Sequence, residues 1–170
     1  MRYALIREMD ISNGIGVGVS LFVQGCHFHC EGCFNEETWD FGGGHEWTKE
    51  VEEKFFGLIS RPYIKRVSIL GGEPLAPENL PGVLLLLAKI KTKFPDKTIW
   101  LYTGYKWETI QKEEIRYATA LCADVVVDGQ FDLSKQDLLN EKIVFAGSTN
   151  QRIINTRETL KAKEVVELNI

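Results

Sequence analysis

Val67-Ser68-Ile69-Leu70-Gly71-Gly72-Glu73-Pro74, continued by Glu78 to Lys93 and by Ile99-Trp100-Leu101-Tyr102, decides the fold class. The first and last runs are short, apolar and rich in β-branched or aromatic residues, as buried strands are. Between them, apolar residues recur at three- and four-residue spacing with charged residues interspersed, the pattern of an amphipathic helix. Pro77 presets the backbone angle at the helix start, and Pro95-Asp96 separates the helix from the next strand. A strand, a crossover helix and a second strand make a parallel pair.

The same alternation extends outward. Val17 to Val23, Val125 to Val127 and Ile143 to Phe145 read as further strands, and Thr48 to Ile59 and Glu108 to Cys122 as helices. Thr48 is placed to cap its helix, with Glu50, Glu52 and Glu53 suiting the positive end of the dipole. About five or six strands fit, fewer than the eight of a closed barrel. The expected fold is α/β, an open partial (β/α) barrel with a mostly parallel sheet. Without repeat, low-complexity tract or linker, residues 1–170 are expected to form a single domain. Thr156 to Ile170 carries a weak helical pattern suited to covering a sheet edge.

A chain of 170 residues with 44% hydrophobic and 26% charged residues is neither collagenous nor disordered. It needs no disulfide or metal merely to fold. The net charge of -4, without a basic run, argues against a nucleic-acid partner. The longest apolar run, Val83 to Ala88, is far short of the roughly 20 residues that span a bilayer, and the start carries no signal-like apolar region. A cytoplasmic protein is expected.

Three of the four cysteines fall in Cys26-His27-Phe28-His29-Cys30-Glu31-Gly32-Cys33, directly after a strand ending at Gln24-Gly25. This C-x3-C-x2-C spacing is no disulfide framework, and three thiolates can reach one inorganic centre. Closed zinc sites take four ligands, so zinc would need His27 or His29 as well. Alternatively, three cysteines can hold three irons of a four-iron four-sulfur cluster and leave the fourth open to a substrate. A thiol redox protein is the third option. Cys122 reads as a small core residue. Gly71-Gly72-Glu73-Pro74 taken alone is a strand-to-helix turn, with glycines that let a backbone approach closely.

Together, the cysteine loop and the later Gly-Gly-Glu-Pro turn resemble the radical S-adenosylmethionine (SAM) enzymes. The resemblance implies that Cys26, Cys30 and Cys33 bind a 4Fe-4S cluster. The open iron would chelate S-adenosylmethionine, held also by Gly71, Gly72, Glu73 and Pro74. Gly32 stands where that family usually has an aromatic residue, and Phe34 follows Cys33 instead. Gly32-Cys33-Phe34-Asn35, with Gln24-Gly25 and three later stretches from Leu101, Val127 and Gly147, is similar to the small activating proteins of anaerobic ribonucleotide reductases. Gly32, Cys33 and Phe34 join the expected cofactor contacts. One departure is Gly18, where an arginine is expected.

The resemblance implies reductive cleavage of S-adenosylmethionine to a 5′-deoxyadenosyl radical. That radical takes a hydrogen atom from a glycine of the large subunit of the reductase. No second cysteine set is present, so an external donor such as reduced flavodoxin or ferredoxin would supply the electron. Activation of another glycyl-radical enzyme, 7-carboxy-7-deazaguanine synthase-like chemistry, and a non-catalytic zinc module are the competing readings. Tyr102, Tyr105 and Asp128, at strand ends, are further candidate contacts that also read as turn or cap residues, and Asn150, Gln151 and Arg152 could bond the cofactor, contact the reductase or form a solvated loop. A bulky residue at position 72 is expected to weaken cofactor binding with the cluster retained.

Overall fold

A computed structural model describes residues 1–137, 139 and 143–170. Among these residues seven strands form one sheet in the order β3-β1-β2-β4-β5-β6-β7. These are β1 (Arg2–Asp10), β2 (Gly18–Val23), β3 (His45–Glu46), β4 (Arg66–Gly71), β5 (Thr98–Thr103), β6 (Val125–Asp128) and β7 (Arg152–Asn155). The central strands β2, β4, β5 and β6 run parallel, as the apolar runs require, while β1 and β7 pair antiparallel at the flanks. The helices are α1 (Lys49–Ile59), α2 (Leu80–Lys93), α3 (Trp107–Ile110), α4 (Glu114–Ala120) and α5 (Thr156–Ala162).

Alternation along each strand sorts side chains onto two faces. Val19, Leu21, Val23, Val67, Ile69, Ile99, Leu101 and Val126 face the main core, where Phe55 and Ile59 of α1 and Val83, Leu87 and Ile90 of α2 pack against them. The opposite face carries Ser20, Phe22, Ser68, Leu70, Trp100 and Tyr102 and is covered by loops rather than helices. A smaller cluster of Trp100, Val125, Val127 and Ile153 closes its far side. A cavity between sheet and loops therefore lies on this second face.

Local chemistry accounts for most boundaries. Thr48 caps α1 as expected, its Oγ1 accepting from the Val51 amide at 3.3 Å. The second helix begins at Leu80 rather than Glu78, because the side chain of Asn79 is drawn away to the backbone of Gln24 and Glu73. The expected helix from Glu108 to Cys122 breaks at Gln111–Glu113 into α3 and α4. Ile143 to Phe145 is not a strand. Phe145 turns at φ +64°, and its carbonyl oxygen accepts from the Tyr102 hydroxyl at 3.0 Å. Beyond α5 the tail returns along β7, where Leu168 N–H donates to Ile153 O at 2.6 Å, so it covers that edge.

Candidate functional site

The carboxyl ends of β2, β4, β5 and β6 open on one edge of the sheet, where open α/β folds place their ligands. β2 runs into the cysteine loop and β4 into the Gly-Gly-Glu-Pro turn, and backbone bonds lace the two together. Gly72 N–H donates to Val23 O at 2.9 Å and Glu73 N–H to Gly25 O at 2.7 Å. The Asn79 amide donates to both Gln24 O and Glu73 O at 3.0 Å.

A cavity of about 670 Å³ lies here, lined by Cys26, Cys33, Phe34, Gly71, Gly72 and Glu73 among the expected site residues. Cys30 stands beside it, its thiol 4.0 Å from Oε1 of Gln130, which lines the cavity. Gly32 lies on the exposed outer side of the loop against Leu133, and Pro74 is buried behind the turn. The structure also brings in Ile11, Ser12 and Asn13, Thr103 and Gly104, and Val144. Thr103 and Gly104 belong to the stretch from Leu101 that carries part of the resemblance, whereas Ile11, Ser12 and Val144 carry no distinctive motif. A second cavity, of about 370 Å³ between α3, α4 and α5, gathers no comparable set of chemical groups.

Cys26, Cys30 and Cys33 are all half-buried free thiols. Burial pushes the Cys26 and Cys30 thiols up, so binding a metal there must displace their protons. Asn35 N–H points at the Cys33 sulfur at 3.4 Å, a donor suited to a thiolate ligand. Among the described residues no three His, Cys, Asp or Glu converge on a single-ion position. The histidines are engaged elsewhere. His27 bonds Glu78 at 2.9 Å and packs on Phe41, while His29 stacks on Trp39 at 4.5 Å. Three soft thiols at the mouth of a roomy cavity fit an iron–sulfur cluster better than a closed zinc site.

Glu73 is buried, and its own protein saturates it. Oε1 accepts from Leu75 N–H and the Thr103 hydroxyl, both at 2.8 Å, and Oε2 from Gly104 N–H at 2.7 Å. It thus braces the β4 turn against the β5 turn. Burial pushes its carboxyl up to about 7, prevailing over those donors and the Arg116 charge. The folded pKa then exceeds the unfolded value, so this group's contribution to stability is full at low pH and is lost as pH rises through 7. The shift corresponds to about 3 kcal/mol. Urea unfolding of the iron-free protein at pH 5, 6, 7 and 8 should show a decline that Glu73→Gln flattens.

Gly72, which lines the cavity, also has a reason within the fold for being glycine. A Cβ there would stand against the carbonyl oxygen of Gly25, well inside contact distance and one residue before Cys26. A bulky substitution thus pushes on the cysteine loop itself, so the geometry favours loss of the cluster over its retention.

Most of the later candidates brace the scaffold. Arg152 donates to both carboxylate oxygens of Asp128, at 3.0 and 2.5 Å, and to both of Glu108 at 2.9 Å. Gln151 spends its amide on the backbone of Gly147, Ser148 and Gly129, and Asn150 donates to Gln130 O. Tyr105 packs edge-on against Phe28 under the Arg116 guanidinium. Cys122 is half-buried at the margin of the main core. Asp128 is buried and also accepts from Trp107 N–H, so Asp128→Ala should cost about 3 kcal/mol in urea unfolding. Exposed Glu108→Gln should cost under about 1 kcal/mol.

Comparison with known proteins agrees with this geometry. A sequence profile described as a 4Fe-4S single cluster domain matches residues 12–154. A Salmonella typhimurium protein is 37% identical over 159 residues, 92% of this chain and all of the relative. An Escherichia coli protein is 36% identical over the same coverage, and one from Vibrio cholerae is 39% identical over 155 residues, 90% of this chain and 97% of the relative. All three are named anaerobic ribonucleoside-triphosphate reductase-activating protein. With relatives matched along nearly their whole length, the chain belongs to the family of anaerobic ribonucleoside-triphosphate reductase-activating proteins.

Proposed function

We propose that this protein activates an anaerobic ribonucleotide reductase as a radical SAM enzyme, installing a glycyl radical on the large subunit. The observation that carries the reading is the placement of the cysteine loop and the Gly-Gly-Glu-Pro turn on one cavity, in a chain related to activating proteins end to end. A bound 4Fe-4S cluster with S-adenosylmethionine supplies one-electron cleavage to a 5′-deoxyadenosyl radical, which takes a hydrogen atom from a glycine α-carbon.

Cys26, Cys30 and Cys33 would hold three irons, and the cavity beside them would receive the cofactor along the backbone of Gly71, Gly72 and Glu73. Glu73 fixes that backbone through its bonds to Thr103 and Gly104. Pro74 stiffens the turn from behind. Phe34 lies on the cavity wall with Phe28 and Leu70, apolar surfaces that keep water from a reactive radical. Gly32 leaves the outer side of the loop uncrowded. Glycine suits the target because no side chain blocks approach.

Residues 1–170 would act as one domain, its sheet an open partial barrel whose mouth admits a segment of the reductase. The electron would come from outside, from a reduced flavodoxin or ferredoxin, since Cys122 is the only cysteine beyond the loop. The net charge of -4 and the lack of any helix long and apolar enough to cross a membrane, among the described residues, favour a cytoplasmic protein without nucleic-acid or membrane partners. Anaerobic reconstitution with iron and sulfide, reduction and addition of S-adenosylmethionine should give about four irons per chain and release 5′-deoxyadenosine. A colourless protein binding one zinc, without cleavage, would reject the reading.

A further inference from the structure

Arg66 is wholly buried on the cavity side of β4, on the same face as Ser68 and Leu70. Among the described residues its guanidinium meets backbone carbonyls rather than a carboxylate. Nη2 donates to Asp10 O at 2.6 Å and Gly16 O at 3.4 Å, and Nη1 to Asn13 O and the Ser68 hydroxyl. These carbonyls span the turn between β1 and β2. The Asp10 carboxylate pins the same turn, accepting from Ser12 N–H at 2.7 Å, Asn13 Nδ2 at 2.5 Å and the Ser20 hydroxyl. Gly14 rests on the arginine stem, where a Cβ would stand 2.6 Å from Arg66 Cδ. Ile11, Ser12 and Asn13 then form one wall of the cavity, with the guanidinium behind them.

Gly18 faces Arg66 in register across the parallel pair. A Cβ at position 18 would lie 2.7 Å from Arg66 Cζ and 2.9 Å from Nη2, so the space holds one side chain. Position 18 is glycine, and the Arg66 guanidinium of the neighbouring strand occupies the space a side chain there would take. Burying a guanidinium whose Nε has no partner among the described residues is a costly way to gain stability, and an apolar side chain would often serve as well. What a planar fork supplies is a fixed geometry for several acceptors at once.

We propose that Arg66 is a positioning residue of the cofactor cavity. Its guanidinium clamps the Asp10–Gly16 turn and so sets where Ile11 to Asn13 stand, and Gly18 leaves it room. This rests on the reading that the cavity binds S-adenosylmethionine.

Arg66→Met keeps the apolar stem without the fork, Arg66→Lys keeps the charge, and the double variant Gly18→Arg/Arg66→Gly moves the fork to the opposite strand. Amide hydrogen exchange at Ser12, whose N–H the Asp10 carboxylate holds within the clamped turn, needs neither cluster nor cofactor when read in the iron-free protein. Exchange there should quicken about tenfold in Arg66→Met, less in Arg66→Lys, with β2, β4 and β5 still protected. In the double variant it should be slower than in Arg66→Gly alone. With reconstituted protein, Arg66→Met should raise KM for S-adenosylmethionine about tenfold, with kcat within about twofold and iron content unchanged.

Wild-type exchange and KM in Arg66→Met would overturn the proposal, as would exchange quickened equally across β2, β4 and β5. Should Arg66→Met not fold, Arg66→Lys and the double variant decide, and a double variant no better than Arg66→Gly overturns the shared place of the two positions. If the wild-type protein cleaves no cofactor, the exchange result still judges the clamp, and only the reading of the cavity falls.

Discussion

Cys26→Ala, Cys30→Ala and Cys33→Ala should each abolish stable cluster binding and cofactor cleavage, whereas Cys122→Ala should leave both intact. The contrast follows from position. The three thiols share one short loop at the mouth of the larger cavity, while Cys122 sits beyond α4 at the edge of the main core. With only three cysteines in the loop, losing one leaves two ligands for three irons, and neither neighbouring histidine is free to substitute. His27 is held by Glu78 and Phe41, and His29 by Trp39. Iron and sulfide content after anaerobic reconstitution, with 5′-deoxyadenosine release, measures the effect. Full activity in any of the three would remove the ligand assignment.

Gly72→Val should lose the cluster as well as the cofactor, with a stability cost on the order of 3 kcal/mol. The valine would press on the Gly25 carbonyl, which is already fixed as acceptor for Glu73 N–H at 2.7 Å. Relief requires the cysteine loop and the β4 turn to part, and this undoes the lacing that brings them to one cavity. Thermal unfolding of the iron-free protein and iron content of the reconstituted protein separate the two consequences. A variant that keeps its iron and its melting temperature but binds S-adenosylmethionine poorly would return Gly72 to a ligand-contact role.

The central parallel strands were legible because burial on both faces leaves near-continuous apolar runs such as Val19 to Val23 and Val125 to Val127. β1 was missed because it lies toward the sheet margin and is largely exposed, so charged residues interrupt its pattern at Arg2, Arg7 and Glu8. β7 is four residues long and owes its register to pairing with β6, which a single sequence does not display. Ile143 to Phe145 looks like a strand by composition, but it is an irregular loop from which Phe145 packs on Trp100 and Ile143 on the same cluster.

The cysteine loop and the Gly-Gly-Glu-Pro turn stood out because their chemistry needs particular residues in order. Ile11 to Asn13 did not, since their part depends on a guanidinium more than fifty positions away in the chain. Likewise, Asp128 and Arg152 were read as candidate contacts because charged residues at strand ends serve ligands and scaffolds alike. Their mutual pairing, together with Glu108, settles them as bracing.

The most direct test places the reconstituted, reduced protein with S-adenosylmethionine and an anaerobic ribonucleotide reductase without air, and freezes the mixture for electron paramagnetic resonance. A glycyl-radical signal should appear on the reductase, absent without S-adenosylmethionine and absent with Cys33→Ala. A reductase that stays without the radical while 5′-deoxyadenosine accumulates would contradict the proposed function, leaving a radical SAM enzyme with another substrate.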